Sequence, residues 1–261
     1  MKRFINDMGK YWEYAKYSAK SSLKSEIANS HLSWLWWILD PLLFMLVYSF
    51  VAIIVFGKGE QYFQAFVFIG LSSWDFFSKT VKQSVRLVTQ NSSIVSKVYM
   101  PKYVLIIIQM LVNGFKMLVS YILVVGIMVI ERVPVSYNLI FMIPLFMALA
   151  VVTFGVSTFM LHFGVFVDDL FNVINVVLRL CFYLSGIFYN INNKNIPQPF
   201  ATILLKCNPI AFIMNELRKC MIYSTTPDLM VTIIWFVIGI LLSVAGVHII
   251  YKYENSYVKV I

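Results

Sequence analysis

Six long apolar stretches dominate this chain: Trp34–Phe56, Tyr62–Phe77, Tyr103–Ile130, Tyr137–Phe159, Phe171–Tyr189 and Leu229–Ile250. Most reach or exceed the roughly 18–20 residues that a helix needs to cross about 30 Å of hydrocarbon. The second is short, and Ser78–Val88 extend it as a helix toward the headgroups. The expected fold is therefore all-α and integral to a membrane, with six transmembrane helices and both termini on one side. Work done across a bilayer is the frame for its function.

Composition agrees. Of 261 residues, 60% are hydrophobic and 13% charged, where soluble domains carry about 25% charged. The spans form one membrane domain, residues 34–261, behind an N-terminal segment 1–33. No room is left for a separate soluble catalytic domain. The net charge of +9 does not point to nucleic acid, because no basic domain presents a surface for it. The basic residues flank apolar spans, where they set topology and meet anionic membrane lipids.

Their distribution orients the chain. With the N-terminus in the cytoplasm, that side holds the basic residues from Lys2 to Lys24, those from Lys79 to Lys102, and Lys252 and Lys259. The other side holds Lys58, Arg132, Lys194, Lys206, Arg218 and Lys219, an imbalance of 13 against 6. Both termini are expected inside. The first 30 residues are polar and amphipathic, so no cleavable signal is expected. Cys207 and Cys220 share an outer loop where a disulfide is geometrically possible, although ordinary thiols are the simpler reading. His31, His162 and His248 are scattered and offer no metal-ligand spacing.

On a helical wheel, Phe4, Met8, Trp12, Ala15 and Ala19 share one face, with Lys10, Lys16, Lys20 and Lys24 on the other. That pattern predicts a helix lying in the membrane interface, apolar side in the acyl chains. Leu23 and Ile27 leave the stripe, which predicts a break near Ser21–Ser25. Trp34, Trp36 and Trp37 mark the aromatic belt of the first span. Asp40-Pro41 predicts a kink there, with Asp40 tolerated at the interface or capping the restarted segment.

Two loops break the pattern. The segment 78–102 carries a basic stretch, a polar hinge at Gln90-Asn91-Ser92-Ser93, and a short apolar turn Ile94-Val95 ending at Pro101. Ser92 or Ser93 can cap a helix of one to two turns, which either docks on a soluble partner or simply connects spans. The segment 190–228 opens polar, carries Pro197 and Pro199, turns apolar at Phe200–Leu205, breaks at Cys207-Asn208-Pro209, and resumes at Ile210–Ile222. Each apolar piece is too short to span, so the pair reads as a re-entrant outer hairpin, a candidate gate. Arg218 and Lys219 are expected near the outer headgroups.

Lys116 and Arg179 lie inside spans, where a lipid-facing charge costs about 2.5–3.5 kcal/mol. Each therefore lines a conduit for an anionic substrate, sits in a structural pair with Asp168 or Asp169, or snorkels to the interface. No G-x-x-x-x-G-K-[ST] phosphate loop occurs: Gly57-Lys58-Gly59 is an outer turn, and Leu184-Ser185-Gly186 only imitates part of an ATPase signature. No intramembrane carboxylate relay or inverted repeat is visible. If the protein transports, something else supplies the free energy.

The order of features resembles the membrane subunits of bacterial ABC exporters for cell-surface polysaccharides, the O-antigen, capsule and teichoic acid class. The resemblance covers nearly the whole chain. It rests on Leu32-Ser33-Trp34-Leu35-Trp36 through Asp40-Pro41-Leu42-Leu43, on Gly70-x-x-x-Trp74-x-Phe76-Phe77, on Asn91 to Pro101, on Asp169-Leu170 and on Asn208-Pro209. It implies a homodimer in the bacterial cytoplasmic membrane carrying two cytoplasmic ATPase subunits, which hold ATP and Mg²⁺, and ATP-driven export of a lipid-linked glycan. This chain then needs no cofactor and has no enzymatic activity of its own. By the same resemblance Asn91, Ser92, Ser93, Ile94, Val95 and Lys97 fall on the helix that couples to the ATPase, and Phe200–Leu205 and Ile210–Ile222 on the outer gate, bent by Pro197 and Pro209. The chain departs from the family pattern at Ser33, for glycine; at Asp40, for asparagine; at Asp168, for arginine; and at Glu26, for a basic residue. A related exporter for a drug or small lipid, and a membrane-embedded lipid-modifying enzyme, are the competing readings; the latter needs a convergent set of carboxylates or histidines that the sequence lacks.

Overall fold

The structure, a computed structural model, describes residues 2–28, 33–55, 60–97, 99–191, 197 and 199–260. His31, Leu32, Phe56, the Gly57-Lys58-Gly59 turn and the polar run at 192–195 lie outside the described residues. Among the described residues the chain forms helices and no strands. Four helices are long and apolar enough to cross a membrane: Trp34–Ile54, Tyr103–Ile130, Tyr137–Phe166 and Leu229–Tyr257. A bent pair, Phe200–Cys207 with Pro209–Met221, makes a fifth if counted as one span.

The first helix, α1 (Lys2–Ala28), runs unbroken through Ser21–Ser25, so the expected break is absent. Ser22 Oγ donates to the Ser18 carbonyl one turn back, and Leu23 packs inward with the rest of the stripe. The stripe is real, but much of it is covered by protein. Ala15 and Ala19 are buried, and Phe4, Met8 and Tyr11 pack beside them against Tyr103, Ile106 and Ile250. The lysines of the other face are exposed.

Next, α2 (Ser33–Ser49) continues through Pro41 without interruption. The helix instead loosens into a π-helical turn at Phe50–Val55. The core of the bundle is α3 (Phe63–Ser84). Every residue from Ala65 to Trp74 is buried, as expected for a helix apolar on all sides. Two one-turn helices, α4 (Leu87–Gln90) and α5 (Ser92–Val95), follow it. They lead to α6 (Tyr103–Ile130), whose ends coincide with the apolar stretch.

A 3₁₀ turn at Tyr137–Phe141 opens onto α7 (Met142–Phe166). Then α8 (Leu170–Leu184) is shorter than its apolar stretch, at 15 residues. Ser185 Oγ bonds back to the Cys181 carbonyl, and Gly186 takes a left-handed φ of 67°, which ends a helix readily only at glycine. The segment expected as a hairpin forms two helices, α9 (Phe200–Cys207) and α10 (Pro209–Met221), bent by 95° at Asn208. Finally α11 (Leu229–Val260) runs ten residues past its apolar stretch.

Those extra residues bring the two termini together. Arg3 pairs with Glu254 at 2.9 Å, lies 4.1 Å over the Tyr251 ring and donates to the Tyr99 hydroxyl. Tyr251 donates to Asp7 at 2.6 Å. The N-terminal helix, the segment after α5 and the C-terminal helix thus share one end of the bundle. At the opposite end, Asn138 Nδ2 donates to the Ser224 carbonyl and Ser224 Oγ to that of Pro134.

Candidate functional site

The charged side chains that sequence left unassigned converge between α1, α2, α3 and α6. They line a cavity of about 710 Å³ walled by Glu26, Trp36, Trp37, Asp40, Ser72, Asp75, Phe76, Lys79, Lys82, Gln83, Asn113, Lys116 and Ser120. Its size falls within the roughly 300–1,000 Å³ of ordinary ligand pockets. From Gln83 to Ser72 along α3 it extends about 17 Å from the termini end, at about 1.5 Å per residue. A larger groove, about 1050 Å³, lies against α6, α7 and α11. Its wall is apolar almost throughout, with residues such as Met110, Phe115, Phe154 and Val244.

Lys116 sits in the polar cavity, and its partner is neither Asp168 nor Asp169. Its ammonium lies 2.7 Å from Glu26 and 5.3 Å from the Trp37 ring, while Trp37 Nε1 donates to Glu26 at 3.1 Å. One carboxylate at the end of α1 therefore ties α2 and α6 together. The pair is only partly buried, with the side chains 26% and 42% exposed, so removing either charge leaves the other without its partner in a partly screened site. Glu26→Ala and Lys116→Ala should each lower thermal stability, and the double variant should lose less than their sum, by about 0.5–3 kcal/mol. A double-mutant cycle with no coupling would show that the contact contributes nothing.

Elsewhere on the wall, Asn113 donates to Thr80 Oγ1 at 3.0 Å and Gln83 Oε1 at 2.9 Å, and Lys79 pairs with Asp75 at 2.6 Å. In the sequence Lys79 served only to orient the chain, and Asp75, Thr80, Gln83 and Asn113 carried no assigned role, since nothing local shows that they meet. The Asp75–Lys79 spacing, one helical turn, was the available signal. Arg179, on α8, lies apart from this cavity; it is exposed and makes no ion pair among the described residues. With Asn172 and Asn175 it forms a polar stripe on a helix that has no buried residue.

At the far end the hairpin is fixed by two polar clamps. Asn208 caps α10, its Oδ1 accepting from the Ile210 and Ala211 amides, while its Nδ2 donates to Ser185 Oγ at 2.9 Å. Pro209 occupies the first turn, where its missing N–H costs nothing. Pro197 and Phe200 are exposed at the hairpin's start.

Arg218 is the clear correction. It is 3% exposed, enclosed by protein where an exposed position was expected. Its guanidinium donates to the carbonyls of Phe66 (3.1 Å), Gly186 (2.7 Å) and Ile187 (2.9 Å), and stacks 3.5 Å from the Phe66 ring. It thereby satisfies carbonyls freed where α8 ends and ties that break to α3. Gly70 makes the space: a Cβ there would lie 2.5 Å from Arg218 Nη2. Lys219 is half-buried and paired with Glu216 at 2.8 Å, so neither cation of the pair is free at the outer surface. Cys207 and Cys220 are free, one exposed and one buried, and form no disulfide.

The loop near the termini keeps its predicted helix with a different start. Asn91, not Ser92 or Ser93, stands at the N-terminal boundary of α5, and its Nδ2 bonds back to the Leu87 carbonyl. Ser96 Oγ bonds to the Ser92 carbonyl. Val95 faces inward and is buried, leaving Ser93, Ile94 and Lys97 exposed.

The sequence that folds into this helical bundle has relatives among known proteins. The profile of the ABC-2 type transporter family matches residues 15–222, and the chain belongs to that family. It is 26% identical over 240 residues to an O-antigen export system permease protein RfbA of Klebsiella pneumoniae, covering 92% of this chain and 91% of that one. A protein of the same name from Myxococcus xanthus is 24% identical over 231 residues, covering 87% of each. Family and apolar helices together make this a multi-pass membrane protein.

Proposed function

We propose that the chain is the membrane subunit of an ATP-driven exporter that moves a lipid-linked surface polysaccharide across the bacterial cytoplasmic membrane. The observation that carries this reading is similarity to O-antigen export permeases along nearly the full length of both chains. In this reading residues 34–261 cross six times, by α2, α3, α6, α7, α8 and α11, with both termini in the cytoplasm. Residues 1–33 lie along the cytoplasmic face, and α9 and α10 re-enter the outer leaflet without crossing. A second copy completes the passage, because the stripe of Asn172, Asn175 and Arg179 on α8 needs water or protein opposite it. The ATPase, which holds ATP and Mg²⁺, seats on Asn91–Lys97, where Ile94 offers an apolar contact and Lys97 a charge.

Two measurements test this. Accessibility probes at Ser224 and Glu254 should report from opposite sides, Ser224 outside and Glu254 inside; both on one side would remove the topology. Inverted membrane vesicles holding the chain and its ATPase should take up lipid-linked glycan only with ATP. Uptake of a small lipid but not of glycan would replace polysaccharide export with the sibling activity.

A further inference from the structure

The charges around the polar cavity do not make an anion trap. Three carboxylates, Glu26, Asp40 and Asp75, face three lysines, Lys79, Lys82 and Lys116. Two of the lysines are already neutralised, at 2.6 Å by Asp75 and at 2.7 Å by Glu26. Asp40 makes no ion pair among the described residues. Lys82 likewise makes no ion pair among the described residues and lies 5.4 Å from the Phe171 ring, so it only balances the free Asp40 carboxylate and the cavity has no net positive charge to hold a phosphate.

A second observation points to a hydroxyl-bearing ligand. Ser72 lines the cavity at 2% exposure, and its hydroxyl has no hydrogen-bond partner among the described residues. Buried hydroxyls are nearly always satisfied, so an unpaired one on a cavity wall marks a ligand or water position. Its neighbour Ser73 shows the ordinary alternative, bonding to the Ile69 carbonyl and the Tyr121 hydroxyl. Trp36 and Trp37 add aromatic surface of the kind that stacks on the CH faces of sugars. Glu26 and Asp40 both line this wall and put carboxylate acceptors beside those rings.

Resting on the export reading, we propose that this cavity is a sugar-recognition site selective for an uncharged, hydroxyl-rich unit of the glycan, with Asp40 and Ser72 as its polar contacts. A carboxylate accepts two hydrogen bonds from vicinal hydroxyls with charge assistance, and Ser72 both donates and accepts. The site excludes the carrier's pyrophosphate, which passes elsewhere.

The test uses the full chain with its ATPase in nanodiscs, Cys181, Cys207 and Cys220 having been replaced. Ser120→Cys reports from deep in the cavity and Gln83→Cys from its mouth, through their reaction with a water-soluble thiol reagent. Three probes are added in turn: lipid-linked glycan from the source cells, the free glycan released from it by mild acid, and bare polyprenyl pyrophosphate. Both glycan forms should slow labelling, and bare polyprenyl pyrophosphate should not. Asp40→Asn, which keeps the size of the side chain and removes its charge, should raise the free-glycan concentration needed for protection about tenfold, the worth of one charge-assisted hydrogen bond. Protection by bare pyrophosphate, or free-glycan protection indifferent to Asp40→Asn, overturns the proposal. So does failure of both glycan forms to protect. The export reading is judged separately, by surface glycan in a strain lacking the chain: its loss there, beside failed protection, refutes the cavity assignment alone.

Discussion

Gly70→Ala is expected to leave almost no correctly assembled protein. A methyl group at this position would lie 2.5 Å from Arg218 Nη2. A mobile arginine would swing away, but this one is held by three carbonyls and an aromatic ring. Either α3 moves off α10 or the guanidinium leaves the carbonyls of Gly186 and Ile187 unpaired inside the bundle. Hydrogen bonds to a charged group contribute about 1.5–3 kcal/mol each, so losing two or three costs on the order of 3–5 kcal/mol after the charge itself is relieved of burial. Arg218→Lys should fall only partly short of that loss, since one ammonium does not reproduce a planar fork on three acceptors. Size-exclusion profiles and melting temperatures in detergent decide it. Wild-type stability of Gly70→Ala would mean that Arg218 is not held where the structure places it.

Ile94→Asp should have the opposite signature: a sound membrane protein that no longer exports. Ile94 is 38% exposed on α5, while the adjacent Val95 is 5% exposed and packs inward. An aspartate at Ile94 puts an unpaired charge into an apolar docking contact and should cut export at least about tenfold. ATP hydrolysis by the partner should continue or weaken without driving transport. Val95→Asp should instead destabilise the chain itself, because it buries the charge in its own core. Full export by Ile94→Asp, with normal recovery of the ATPase, would remove α5 from the docking surface.

The boundaries of α6 were legible because Lys102 and Glu131 bracket an uninterrupted apolar run, and the hairpin break was legible because Asn208-Pro209 is both cap and stop. The stripe on α1 was legible too. What it packs against was not: periodicity reveals an apolar face but cannot say whether lipid or protein covers it. The same limit explains Arg218. Flanking polarity placed it at an outer surface, whereas its actual environment is built from carbonyls 31, 32 and 152 residues away in sequence. Gly70 was quoted only as part of a motif, and its use became clear with the cation beside it. Likewise, Glu26 and Lys116 are 90 residues apart, and no local pattern joins them. Leu184-Ser185-Gly186 carried a helix stop in plain view, a serine that bonds backward followed by a glycine with positive φ.

The most direct measurement follows the glycan itself when this chain is depleted from cells that make it. Surface polysaccharide and lipid-linked glycan on the cytoplasmic leaflet are quantified together, with the chain restored from a plasmid as control. Export by this subunit predicts that surface glycan disappears while the lipid-linked form accumulates inside, and that Ile94→Asp on the plasmid fails to reverse either change. Surface glycan maintained at its normal level after depletion, with no accumulation inside, would contradict the assignment.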